Sequence, residues 1–284
     1  MTGNHGTRSL TRCREDEALA QAAVDALTGQ LALVPKPGLP DPRDLAARAT
    51  RRDHRLLRWS AKALTPGLAA MAAAARRTGE PTPQLRAELG SIGRCAEHSV
   101  GLAGGGHRGA LWALGLLVAA AALDPGAGAR EVATGAKRIA AHRDRGAPRR
   151  PSRGSSVSAK YGAAGARGEA KAGFPHVRRA LDALEAARTA GADEGQARLD
   201  ALLTVMSTLQ DTELLHTAGP LGLRQVQAGA REVLAAGGTA TRPGRDALAA
   251  LDAELHARAW SPRGSAGLLA GALFLDALPV GPRG

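Results

Sequence analysis

The chain has 284 residues and a formal net charge of +12, from 38 basic against 26 acidic residues, and is long enough for one large domain or two small ones. Hydrophobic residues make up 44% but aromatics only 2%, so the core must be built from small aliphatic side chains packed closely, which favours helix on helix. Six aromatics leave few stacking platforms for single-stranded nucleic acid, and the most hydrophobic run, residues 110–123, is shorter than the roughly 20 residues of a membrane span.

Nearly all the basic residues are arginines; lysine occurs only at Lys36, Lys62, Lys137, Lys160 and Lys171. The planar guanidinium fork suits phosphate, so polyanion binding is one reading of the charge, and a general arginine bias is the other. Cys13 and Cys95 lie outside any CxxC pair, and Cys95 with His98 is only half of a zinc site, which fits a reducing cytosol. The N-terminus is polar and lacks the apolar centre of a signal peptide, so a soluble, cytoplasmic protein is expected. No composition break divides the chain. We expect a frayed N-terminus over residues 1–15 and one helical domain over 16–284.

From Ala18 to Val34 the apolar residues Leu19, Ala23, Ala26, Leu27, Leu31 and Val34 form a helical stripe, which Pro35 and Pro37 stop. The segment Pro35-Lys36-Pro37-Gly38-Leu39-Pro40-Asp41 then reads as a stiff loop presenting one lysine and one aspartate with little ordering cost. Arg48 to Arg55, with Asp53 and His54, reads as a solvated, charged helix entrance. Helices follow at 56–64 and 68–77, separated by Thr65-Pro66-Gly67. Residues 104–109, Gly-Gly-Gly-His-Arg-Gly, match GxGxxG, yet no β-branched strand precedes them and no acid follows about 20 positions on, so a dinucleotide fold is not indicated. What survives is a glycine loop at a helix start, with His107 and Arg108 either cradling phosphate or, for His107, capping the helix. The helix over 110–123 is apolar on every side and should run through the middle of a bundle.

A short helix is expected near 131–141, then a basic connection, 142–153, which reads either as a mobile flap delivering Arg149, Arg150 and Arg153 or as a disordered linker. The stretch Gly154 to Val177 is dense in anion-binding groups. Glycines at 154, 162, 165, 168 and 173 permit positive φ and close approach, Lys160, Arg167 and Lys171 supply cations, and Glu169 a carboxylate; the alternative is a plain Arg167–Glu169 ion pair. Later helices are marked by Val177, Leu181 and Leu184; by Leu199 to Leu209, ending at Asp211 and Glu213; by Leu223 to Leu234; by Leu248, Leu251 and Leu255; and by a last apolar helix from Ser261-Pro262 to Leu278. Nothing alternates with period two, so no sheet is expected. There is no GxxxxGK[ST], HExxH or GxSxG. The fold class is all-α: one multi-helix bundle around a buried apolar helix at about 110–123.

Five segments, PKPGLPD at 35–41, GHRGALWALGLL at 106–117, YGAAGARGEAKAGFPHV at 161–177, LQDTELLH at 209–216 and SPRGSAGLLA at 261–270, together resemble the triphosphoribosyl-dephospho-CoA synthase family, in the same order over about residues 18–278. GAPRRPSRGSSVSAKYG and VLAAGG look more like its malonate decarboxylase branch than its citrate lyase branch. The resemblance implies an all-helical transferase that takes ATP and 3'-dephospho-CoA, releases adenine and makes 2'-(5''-triphosphoribosyl)-3'-dephospho-CoA, the precursor of a prosthetic group on an acyl-carrier subunit. It implies no nucleic-acid or membrane partner and leaves self-association open.

On that resemblance Lys36, His107, Arg108 and Arg167 are assigned to phosphates, with Ser155 and Tyr161 as further substrate contacts. Asp41, Glu169 and Asp211 are assigned to ribose, metal or proton transfer. Mg²⁺ is expected, with Glu169, Asp211 and Asp53 as its ligands. The chain departs from the family pattern at Gly105-Gly106-His107, at Ala49 to Asp53, at Thr217-Ala218-Gly219 and at Gly267, where an acid is usual. Those departures leave one rival expectation, a homologue that keeps the nucleotide or CoA cradle without the chemistry, and the net charge of +12 leaves another, a helical nucleic-acid binder.

Overall fold

The computed structural model describes residues 3–43, 54–102 and 106–279, and the described chain is helical with no strand. The helices are α1 (Gly3–Leu31), α2 (His54–Lys62), α3 (Thr65–Thr78), α4 (Pro83–Leu102), α5 (Arg108–Leu123), α6 (Ala129–Ala141), α7 (Arg153–Tyr161), α8 (Gly165–Lys171), α9 (Pro175–Thr189), α10 (Glu194–Met206), α11 (Thr212–Thr217), α12 (Gly219–Ala235), α13 (Arg242–Ala257) and α14 (Arg263–Asp276). The all-α class follows directly. No described helix is long and apolar enough to cross a membrane.

Local chemistry sets many of the boundaries. Pro66, Pro175 and Pro243 occupy first-turn positions, where their missing N–H costs nothing. Asp193 and Gln196 form a reciprocal capping box at α10, and Ser152 and Thr241 cap α7 and α13. Two expectations need correction. Helix α1 starts at Gly3 rather than near Ala18. Helix α4 was not foreseen, because Gly90, Gly93 and Gly101 dilute its pattern, although Leu85, Leu89, Ala96 and Val100 make a buried stripe at helical spacing. The glycine-rich stretch 154–177 folds into α7, α8 and the start of α9, and of its five glycines only Gly162, Gly165 and Gly173 take positive φ.

Two helices form the centre. Helix α5 is buried almost throughout, as its all-round apolarity predicts, and packs on α1, α3, α4, α6 and α14. Helix α14 is buried to the same degree and packs on α1, α5, α9 and α10. Small residues let these axes approach closely: a Cβ on Gly271 would come within 3.2 Å of Leu117 Cδ1. With only two phenylalanines, both fully buried, most of the core energy comes from leucines and alanines, each buried leucine contributing about 1.5–3 kcal/mol.

The first part of the basic connection, residues 142–146, is pinned rather than free. Arg94 Nη1 donates to Asp144 Oδ2 (2.7 Å), the Gly146 N–H donates to Asp144 Oδ1 (2.9 Å), and His142 Nε2 contacts the Pro81 carbonyl (2.7 Å). A Cβ on Gly90 would overlap the Asp144 carboxylate. Gly90→Ala is therefore expected to release the segment and speed trypsin cleavage among Arg143, Arg145, Arg149 and Arg150 by about tenfold or more, since cleavage follows local opening. An unchanged digestion rate would refute the pinning.

Candidate active site

Five helix starts meet at one end of the bundle. A Cβ on Gly267, in the second turn of α14, would lie 3.2 Å from the Ala110 nitrogen at the start of α5. Trp112 Nε1 donates to the Ala166 carbonyl in α8 (3.2 Å). Gly154 of α7 and Gly165 of α8 both face Thr212, the first residue of α11: a Cβ built on either would lie 3.6 Å from its side chain. The Ser265 N–H of α14 donates to Asp211 Oδ2 (3.2 Å), and Asp211 caps α11 through the Glu213 N–H (2.9 Å). Helix starts carry unpaired N–H groups and the positive end of the macrodipole, so their convergence favours anions.

Asp211 is the buried anion already there. Burial pushes its carboxyl up to about 6, against the backbone N–H groups of Glu213, Ser265, Leu214 and Gly264, which favour the charged form. Its neighbour Ser265 Oγ is buried without a hydrogen-bond partner among the described residues. Because the folded pKa lies above that of an unfolded aspartate, this group's stabilisation is complete below about pH 4 and is lost as pH rises through 6. Asp211→Asn is expected to remove that slope. Urea unfolding at pH 4 and pH 7 would show the wild type losing roughly 3 kcal/mol more than the variant over that interval. Equal losses would refute the assignment.

Lys36 and Asp41 are turned inward rather than presented to solvent. Each is 1% exposed. Lys36 Nζ bonds Gln30 Oε1, and the Lys36 N–H donates to Asp41 Oδ2 (3.1 Å). Burial lowers the Lys36 ammonium to about 7, with Asp41 pulling the other way. Burial also pushes the Asp41 carboxyl up, but Arg43, bonding through Nε (2.8 and 3.0 Å), Nη2 (2.5 Å) and its backbone N–H (2.8 Å), holds it below the usual range. Arg43 Nη2 also reaches Asp252 Oδ2 (2.8 Å), and Asp252 Oδ1 accepts the Gly38 N–H (3.2 Å), fastening the loop to α13.

Glu169 is 5% exposed and engages His176, not Arg167: Oε1 accepts the His176 N–H (2.8 Å), and Oε2 meets His176 Nδ1 (2.7 Å). The Arg167–Glu169 ion pair is thus replaced by a Glu169–His176 pair across the α8–α9 junction. His107 occupies the N-cap position of α5 without a capping side-chain bond. Its Nε2 reaches the Leu57 carbonyl (2.9 Å) and Ser60 Oγ (3.0 Å), tying α5 to α2. Similarly, His54 Nε2 holds the Leu31 carbonyl (2.7 Å). Arg108 is exposed and pairs with Glu97 (3.0 Å); Arg167 is exposed. Ser155 completes the α7 cap with Ser152. Tyr161 lines a pocket of about 240 Å³ with Ala163, Gln210, Leu215, Leu223 and Arg224, next to Asp211. Asp53 lies outside the described residues.

The carboxylates do not make a ready Mg²⁺ site. Both oxygens of Asp41, Glu169 and Asp211 are engaged by protein donors, and no group of three or more His, Cys, Asp or Glu residues is arranged for a metal among the described residues. Residues that the sequence reading passed over are Gln30, Arg43, Asp252, His176 and Ser265. Only His176 carried a local signal, standing seven residues from Glu169 just after Pro175, at the start of α9.

A family model described as ATP:dephospho-CoA triphosphoribosyl transferase matches residues 16–283. Similar relatives carry the name "probable 2-(5''-triphosphoribosyl)-3'-dephosphocoenzyme-A synthase". One from Stutzerimonas stutzeri is 48% identical over 267 residues, covering 92% of this chain and 92% of the relative. Another from Pseudomonas aeruginosa is 50% identical over 269 residues, covering 93% and 92%, and one from Azotobacter vinelandii is 48% identical over 268 residues, covering 92% and 91%. No solved structure gives a significant match. With the motifs running in order and the match extending over nearly its whole length, the chain belongs to the ATP:dephospho-CoA triphosphoribosyl transferase family and is a transferase.

Proposed function

We propose that the chain, with residues 16–284 acting as one unit, transfers the triphosphoribosyl group of ATP to 3'-dephospho-CoA and releases adenine. In that reaction the ribose C1'–N9 bond breaks and a bond forms from C1' to a ribose hydroxyl oxygen of dephospho-CoA. The hydroxyl loses its proton and adenine gains one. The observation that carries the reading is the junction of helix starts around buried Asp211 and the unpartnered Ser265 Oγ, an anion-favouring arrangement that also holds an acid whose carboxyl is pushed up to about 6.

Each side chain has a task in this reading. Arg167 and Arg108 neutralise phosphates. Asp211 stabilises the oxocarbenium character that builds on the ribose, and its raised pKa suits it to proton exchange at neutral pH. Glu169 orients His176, whose imidazole side chain is suited to accept the hydroxyl proton. Lys36, titrating near neutrality, serves proton transfer better than charge neutralisation. Mg²⁺ belongs to the substrate as the ATP complex, and no described carboxylate is assigned to it.

The likeness of residues 146–162 and 233–238 to the malonate decarboxylase branch supports a role in making that enzyme's carrier prosthetic group. The free thiols Cys13 and Cys95 fit a reducing cytosol. Incubating the pure protein with Mg·ATP and dephospho-CoA should yield one adenine per triphosphoribosyl product, read by chromatography. Nucleotide binding without adenine at high enzyme concentration would overturn the catalytic reading.

A further inference from the structure

Arg86 on α4 is 4% exposed, yet it makes no side-chain hydrogen bond among the described residues. Its nearest carboxylate oxygen, Asp144 Oδ2, is 3.8 Å from Nη1, beyond hydrogen-bond distance. Its Cζ lies 4.7 Å from the Trp112 ring centroid. A largely buried guanidinium whose nearest carboxylate stands beyond hydrogen-bond distance is under-satisfied, since such groups are normally paired and hydrogen-bonded.

Two more arginines crowd the same spot. Arg94, two turns along α4, holds Asp144 at 2.7 Å. Arg167 approaches from α8, exposed and with no carboxylate pairing with it among the described residues. Trp112 brings the groups together: its ring stacks on Arg86, and its Nε1–H ties down the Ala166 carbonyl beside Arg167 (3.2 Å). Burial lowers the Arg86 pKa, opposed by Asp144, and the charges of Arg167 and Arg94 lower it further, as expected for close cations with too few anions. Arg86 and Arg94 share the Asp144 carboxylate, and Arg167 adds a further positive charge from α8.

We propose that Arg86, Arg94 and Arg167 form a phosphoanhydride-binding subsite, with Asp144 as its resting counter-ion. A run of phosphate oxygens offers Arg86 the acceptors that Asp144 fails to supply, through charge-assisted bonds with fork geometry. The triphosphate of ATP carries more negative charge than the pyrophosphate diester of dephospho-CoA and balances three cations better. Assigning the anion to ATP rests on the transferase reading above; the subsite itself does not.

Titrating inorganic tripolyphosphate into the full-length protein at low salt, by calorimetry, tests the subsite. Arg86→Gln and Arg167→Ala should each weaken binding about tenfold or more, while Arg130→Gln, which removes an exposed arginine on α6, should change it less than twofold. Wild type that does not bind tripolyphosphate, or equal weakening by all three changes, overturns the subsite. So does unchanged affinity in Arg86→Gln with a native circular dichroism spectrum. Should Arg86→Gln fail to fold, unchanged affinity in exposed Arg167→Ala overturns it equally. In adenine-release assays a raised KM for ATP alone supports the assignment to the triphosphate; a raised KM for dephospho-CoA alone moves it to the pyrophosphate and overturns that choice. Arginine-dependent tripolyphosphate binding by a protein that never releases adenine would sink the transferase reading while keeping the subsite.

Discussion

Glu169→Gln is expected to lower kcat for adenine release by about 10²–10⁴-fold while leaving the helices assembled. The glutamine keeps an acceptor for the His176 N–H, so the start of α9 stays capped. It replaces the carboxylate oxygen that meets His176 Nδ1 at 2.7 Å with an amide, which neither stabilises an imidazolium nor holds the same tautomer. KM for both substrates should change little, because the pair is buried and no phosphate role is given to it. Stopped-flow or single-turnover measurement of adenine release, with a thermal melt as the folding control, checks the claim. A kcat within threefold of wild type in a folded protein would remove the Glu169–His176 pair from the chemistry.

Lys36→Met should make the protein more stable and much less active. Moving the ammonium pKa from its ordinary 10.5 down to about 7 means that the folded protein carries a penalty on the order of 5 kcal/mol when the group is charged below pH 7. The penalty shrinks as pH rises from 7 toward 10.5, so wild-type stability should climb over that window. Methionine removes the penalty but leaves the buried Gln30 amide without its partner, a loss of about 1–3 kcal/mol. The net gain near pH 7 is therefore about 2–4 kcal/mol, or roughly 5–10 °C in Tm, with a flat dependence between pH 7 and 10. Adenine release should fall at least a hundredfold if Lys36 takes part in proton transfer. A lower Tm than wild type at pH 7, or full activity, would refute the reading. A residue that costs stability and yet is built into a stiff, twice-fastened loop is the usual signature of a group retained for chemistry.

The all-helical class, most helix positions and the family were legible in the linear chain. Runs such as Leu111 to Leu123 bury every face, and the five ordered motifs include Glu169 and Asp211. Helix α4 was the exception: three glycines and few large apolar residues hide a stripe whose burial comes from the neighbours that cover it. The site was legible in its residue types and misread in its arrangement. Lys36 and Asp41 look presented by their proline loop, but the ties from Asp252 on α13, more than 200 residues on, turn them inward.

What the amino-acid order determined by itself is therefore what depends on nearest neighbours: periodicity, proline and glycine breaks, caps and motif identity, because each rests on contacts within about four residues. Only the tertiary structure decided which helix ends meet, that Glu169 pairs with His176 instead of Arg167, that Asp211 joins α11 to α14, and that Arg86 lies buried against Trp112 beyond hydrogen-bond reach of Asp144. These outcomes depend on desolvation and on charges brought together from distant positions. Both are set by packing, and neither has a local signature in the chain.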